Sequence, residues 1–229
     1  PIGGTLACSF VDGTNASEGT SLTYAAKLVV QDIVDESGWV PPDVDWLLWE
    51  ALTKGAVIHS DSWGDDTTQY TARSYDFDAW SSEVPWSIAF IAPGNNGGQM
   101  MEPANARSVV AVGVSTKSEE TGLYQWSSVG ETHDGRRGIH ITTPGMGIVS
   151  AKADGIHDSM NNGTRSSTGS SMATPTAASF TAILQQLVEE GYFSNGTGFT
   201  PSGPLLRALL ALAAEPIPNL VHNQGTTGM

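Results

Sequence analysis

Apolar positions in this chain fall in short clusters, and the clusters alternate between a strand-like and a helix-like spacing. Leu28-Val29-Val30-Gln31-Asp32-Ile33 is a short, mostly apolar run of the kind that forms a buried strand. Pro41-Pro42-Asp43 then opens a helix over 44–53, with Trp46, Leu47, Trp49 and Leu52 as its apolar positions and Lys54-Gly55 as its stop. Ala56-Val57-Ile58-His59-Ser60 predicts a second strand. A helix over 73–82 carries Tyr75, Phe77, Ala79 and Trp80. Strands follow at 86–92, ended by Pro93-Gly94, at 109–114, and at 139–142 before Thr143-Pro144-Gly145. An apolar helix spans 177–187 and a last one 204–214. Strands that alternate with helices favour an α/β fold with a parallel sheet and helices on its faces. No repeat or linker divides the chain, so residues 1–229 read as one domain with one core. The Gly- and Ser-rich stretch 155–170 reads as a loop carrying function.

Composition narrows the partners. The formal net charge of -14 argues against nucleic acid, whose phosphates need a basic face. No run approaches the ~18 apolar residues of a membrane span. Cys8 stands alone, so no internal disulfide can form, and its neighbours Leu6, Ala7 and Phe10 suggest a buried small side chain. No signal peptide is visible at Pro1-Ile2-Gly3-Gly4. Asn-x-Ser/Thr sequons at Asn15, Asn162 and Asn195 give a small pointer to an extracellular or secretory location.

Four segments carry candidate chemistry. Gly169-Ser170-Ser171-Met172-Ala173-Thr174-Pro175 is a tight turn leading into the apolar helix, which puts the Ser171 hydroxyl at the positive end of a helix. A serine there serves as a nucleophile only when a base takes its proton; otherwise such a turn is an N-cap. Ile91-Ala92-Pro93-Gly94-Asn95-Asn96-Gly97-Gly98 follows a strand and aims the Asn95 amide into a pocket, or is an ordinary Asn-Gly turn. No Gly-Lys-Ser/Thr follows, against a phosphate loop. The run from Ile58 through Ser62-Trp63-Gly64 can offer its open backbone to an extended peptide. Trp126-Ser127-Ser128-Val129-Gly130, Asp134-Gly135-Arg136 and Thr143-Pro144-Gly145 make up the fourth.

In this order and spacing the four segments resemble the subtilisin-like serine peptidases. That family has Gly-Thr-Ser-Met-Ala-x-Pro at its nucleophile, Ala-Ala-Gly-Asn at its oxyanion asparagine, and Phe-Ser-Ser-x-Gly before Ala-Pro-Gly. The stretch from Pro41 to Gly64 further resembles the alkaline, oxidation-tolerant subgroup, and residues 103–113 add another match. The resemblance covers about residues 3–215. It implies a three-layer α/β/α fold with a mostly parallel sheet, and peptide-bond hydrolysis through an acyl-enzyme at Ser171. The Asn95 side chain and the Ser171 N–H would hold the oxyanion. Ser62, Trp63 and Gly64 would pair with the substrate backbone, and Ala92, Pro93 and Gly94 would wall the primary pocket. The peptide bond before Pro144 would be cis. An extended polypeptide is the implied partner of a monomeric enzyme that needs no cofactor for catalysis. Structural calcium is common in the family, with Asp65-Asp66 and Asp76/Asp78 as acidic candidates, although a solvated loop explains them too.

The sequence departs from the family pattern in mild and serious ways. Ser170 stands for Thr, and Pro93 for the second Ala. The helix carrying the family's histidine begins His-Gly-Thr-His, whereas the matching stretch here is Gly3-Gly4-Thr5-Leu6-Ala7-Cys8. Gly3 thus stands where the base belongs, and the strand bearing the aspartate would precede residue 1. His59 fits a strand position that the subgroup resemblance makes routine, and His133, His140, His157 and His222 lie away from any matching motif. The expectation is therefore a partial peptidase domain, lacking its N-terminal strand or strands and inactive by itself. The alternative is a pseudopeptidase that keeps the cleft as a peptide-binding module. A cofactor-binding α/β protein has no dinucleotide fingerprint to support it.

Overall fold

The computed structural model describes residues 2–8, 20–35, 38–39, 42–116, 122–156, 158–161 and 163–217. In chain order it contains α1 (Ile2–Ala7), β1 (Val34–Asp35), β2 (Gly38–Trp39), α2 (Val44–Thr53), β3 (Ile58–Asp61), α3 (Ala72–Glu83) and β4 (Ile88–Ile91). β5 (Val110–Ser115), β6 (Ile141–Pro144), β7 (Ile148–Ala151), β8 (Thr164–Ser167), α4 (Ser170–Glu189) and α5 (Gly203–Ala213) follow.

The central sheet has the order β3-β4-β5-β6, with every pair parallel. Successive strand residues point to opposite faces, and the two faces bury different helices. Ala89, Ile91 and Ala111 pack with Val44, Leu47 and Leu48 of α2 and with Phe77 and Trp80 of α3. Ile88, Phe90, Val110, Val112 and Val114 pack with Ala173, Ala177, Ala178 and Leu184 of α4 and with Leu206 and Leu210 of α5. β4 and β5 are therefore buried on both sides, which explains their unbroken apolar runs. This is the expected three-layer α/β/α arrangement. The helix ends follow local chemistry as well: Asp43 caps α2 by accepting from the Trp46 N–H at 3.0 Å, and Ser202 caps α5 by accepting from Leu205.

Several expectations are corrected. Leu28–Ile33 forms no strand among the described residues; Leu28, Val29 and Val30 are exposed. An apolar run needs a neighbour with which to exchange backbone hydrogen bonds, and among the described residues no strand pairs with this one. Instead, residues 26–31 and Ile33 line one side of a cavity of about 500 Å3, with β3, an edge of the sheet, among its other walls. Part of the expected loop 155–170 is strand β8, paired antiparallel with β7. The cis peptide bond precedes Pro103 rather than Pro144, which ends β6 in register with Ser115. Cys8 is half-buried. Asn195 is exposed, while Asn15 and Asn162 lie outside the described residues. Among those residues no helix is long and apolar enough to cross a membrane.

Candidate active site

The site begins with backbone groups that α4 cannot satisfy by itself. A helix leaves its first N–H groups without intrahelical acceptors. Asn95, on the loop after β4, fills one vacancy: its Oδ1 accepts from the Ser170 N–H at 2.8 Å. That bond orients the amide, because only the oxygen accepts. The Asn95 Nδ2 is left as a donor beside the helix start. Gly169 makes the approach feasible, since a Cβ there would sit 3.0 Å from Asn95 Oδ1 and its φ of +146° disfavours a side chain. Gly145 is needed for a similar reason: a Cβ would lie 2.8 Å from the Gly169 carbonyl and 3.0 Å from Ala173 Cβ.

Pro175 has a second consequence for the same turn. It sits inside α4 and lacks the N–H that would bond to the carbonyl four residues back, that of Ser171. The Ser62 hydroxyl donates to that carbonyl instead, at 3.1 Å. The end of β3 is thereby tied to the residue carrying the candidate nucleophile. Ser171 itself is half-buried, in the first turn of α4.

Ser62-Trp63-Gly64 and Ala92-Pro93-Gly94 continue from the ends of the adjacent parallel strands β3 and β4. The structure thus brings Ser171, Asn95 and Ser62 to one end of the sheet, as the sequence suggested. Ligands of open α/β sheets bind at the carboxyl ends of the strands. Gly94, with φ of +112°, packs against Met101 and Ser128, where a Cβ would approach each to 2.9 Å.

No described histidine is hydrogen-bonded to Ser171. His59 points to the α2/α3 face, its ring 6.0 Å from Trp80, and burial lowers its pKa to about 4. His140 accepts from the Ala111 N–H at 3.0 Å, and its pKa is lowered to about 4 by desolvation together with the nearby Arg207, Arg137 and Arg136 charges. His133 contacts Gln69 on the surface. His157 and His222 lie outside the described residues. Gly3 lies in α1 and lines the same cavity as Ser62.

Sequence reasoning missed two buried acids. Asp61, just before the Ser62–Gly64 segment, accepts from Trp63 Nε1 at 3.1 Å while its Oδ2 has no partner. Burial pushes its pKa up to about 7. Glu102 is buried beside the start of α3. No motif flags either, because each depends on what tertiary packing puts around it. The acidic residues considered for calcium already have protein partners in part: Asp65 pairs with Arg73, and Asp78 accepts from the backbone N–H groups of Arg107 and Ser108. Among the described residues no group of three or more His, Cys, Asp or Glu is arranged to hold a metal ion.

Comparison with known proteins identifies the family and the fold. The profile of the Subtilase family matches residues 3–227. Two proteins of Dictyostelium discoideum are similar in sequence. Serine protease/ABC transporter B family protein tagB is 34% identical over 134 residues, covering 51% of this chain and 7% of its own length. Its counterpart tagD is 36% identical over 110 residues, covering 42% and 6%. The chain thus spans only a small fraction of these relatives. Among solved structures, sphericase has a TM-score of 0.68 at 20% identity, over 93% of this chain and 67% of its own. The self-cleaved protease domain of PatA gives 0.71 at 22%, over 95% and 75%. At such identities these two establish the fold.

Proposed function

Since the chain belongs to the subtilase family, we propose that it supplies the nucleophile, the oxyanion donors and the peptide cleft of a serine endopeptidase. In this reading the Ser171 Oγ bonds to the scissile carbonyl carbon and gives up its proton to a base. The tetrahedral oxyanion accepts from Asn95 Nδ2 and the Ser171 N–H. Collapse breaks the C–N bond, the proton passes to the leaving amine, and water then releases the acyl group. Ser62-Trp63-Gly64 receives the extended substrate backbone, and Ala92-Pro93-Gly94 walls the primary pocket. The observation that supports this reading is the 2.8 Å bond from the Ser170 N–H to Asn95 Oδ1, which leaves the Asn95 Nδ2 as a donor beside the start of α4.

In this reading the reaction lacks its histidine and its aspartate among the described residues. No described base is hydrogen-bonded to Ser171, and Gly3 stands where the resemblance puts the family's histidine. In this chemistry, losing the histidine lowers turnover by about 10⁶-fold. The chain of 229 residues is therefore expected to be practically inactive by itself. The same observation favours a second reading, a peptide-binding module that retains the cleft. Labelling with a fluorophosphonate probe, read by intact mass, tests the first reading's account of Ser171. No adduct is expected on the chain alone, and rapid modification of Ser171 would contradict the absence of a base. Saturable binding of unfolded casein without cleavage is expected of the cleft in both readings.

A further inference from the structure

Glu102 is a carboxylate that the proposed reaction does not use, and it is only 1% exposed. Its Oε1 accepts from the backbone N–H groups of Thr71 and Ser74, each at 3.1 Å, at the start of α3. The Thr71 hydroxyl lies 2.7 Å from both carboxylate oxygens. Thr71 is the N-cap of α3 but makes no side-chain cap bond to its own helix, so Glu102 does this from outside. Among the described residues no salt bridge involves Glu102. The buried carboxyl group is held by hydrogen-bond donors, which offset part of the cost of leaving water.

The main chain at this point is equally committed. The Glu102 N–H donates to the Thr67 carbonyl at 2.9 Å, and the Glu102 carbonyl accepts from the Asp65 N–H at 3.0 Å. Gly64 lies so close that a Cβ would come within 2.4 Å of the Glu102 carbonyl oxygen. The preceding residue reaches the other side of the cleft: the Met101 N–H donates to the Pro93 carbonyl at 3.0 Å. Two successive residues therefore touch the segments after β3 and after β4.

We propose that Glu102 is a positioning residue for peptide binding. Its carboxylate anchors residues 101 and 102 to α3, and these fix the spacing between the Ser62–Gly64 and Ala92–Gly94 walls. The proposal rests on reading those segments as walls of a substrate cleft. Among the described residues the carboxylate hydrogen-bonds to Thr71 and Ser74 and to neither cleft wall, so its influence passes through the backbone of residues 101 and 102.

Hydrogen–deuterium exchange and binding of fluorescein-labelled casein, applied to Glu102→Ala and Glu102→Gln, test the proposal. Glu102→Ala is expected to speed exchange at the Asp65 and Met101 amides about tenfold or more, while the β7–β8 hairpin is unchanged, and to weaken casein binding. Glu102→Gln keeps an acceptor for the two N–H groups and is expected to restore most of both. If Glu102→Ala does not fold, Glu102→Asp, which draws the carboxylate back by one methylene, carries the same expectation. Faster exchange confined to the first turn of α3, or spread equally over the hairpin, overturns the anchor. Failure of the unsubstituted chain to bind casein, with the exchange pattern as expected, overturns the cleft reading and with it the role in binding.

Discussion

The carbonyl of Ser171 is where one residue's covalent structure decides another's contact. Pro175 cannot donate to it, and the Ser62 hydroxyl does so at 3.1 Å. Ser62→Ala is expected to cost about 1 kcal/mol, the usual worth of such a bond. In a Pro175→Ala background the helix supplies its own N–H, so the Ser62 effect should shrink. Urea denaturation of the four members of this double-mutant cycle measures the difference. Asp61 provides a second test. Its folded pKa is raised to about 7 from an ordinary 3.8, so the folded state holds its proton more tightly than the unfolded state does. The stability it contributes is present below about pH 4 and lost as pH rises toward 7. Asp61→Asn should therefore raise Tm more at pH 7 than at pH 5. His59 and His140 act in the opposite sense, since their stabilisation is present above their ordinary 6.5 and lost on acidification toward 4. Ser171 and Asn95 were singled out in the sequence because each lies in a short turn of distinctive residues, Gly169–Pro175 and Ala92–Gly98. Asp61 and Glu102 could not, because their character comes from burial by elements distant in the chain.

At the scale of elements, α1 sets two neighbouring glycines in different surroundings. A Cβ on Gly4 would lie 2.5 Å from Ser150 Oγ and 2.8 Å from Ala151 Cβ, whereas on Gly3 the nearest atom is Leu28 Cδ1 at 3.8 Å. Gly4→Ala is thus expected to destabilise by about 1–3 kcal/mol through overpacking against β7. Gly3→Ala should be close to neutral, and thermal melts of the two variants distinguish the cases. The strands β4 and β5 were legible because both of their faces are covered, which writes continuous apolar runs into the sequence. The run Leu28–Ile33 has the same signature but no partner beside it among the described residues. Hydrophobic pattern reports what a segment would bury, not whether a neighbour is there to bury it. Hairpin β7–β8 was missed for the converse reason: its second strand, Thr-Arg-Ser-Ser, is mostly exposed and carries no apolar alternation.

For the molecule as a whole, the sheet gathers the ends of β3 and β4 and the start of α4 into one site, while no described histidine reaches Ser171. Gly3 has room for a side chain and lines the cavity that Ser62 also lines. In the proposed function Ser171 and its oxyanion donors are the reacting groups, and the missing histidine base is the main obstacle to reaction. The most direct measurement is the rate of Ser171 labelling by a fluorophosphonate in Gly3→His against the unsubstituted chain. With a histidine present but no aspartate partner for it among the described residues, a gain on the order of 10² is expected, abolished by Ser171→Ala. Equal rates in the two proteins, or rapid labelling of the unsubstituted chain, would contradict it.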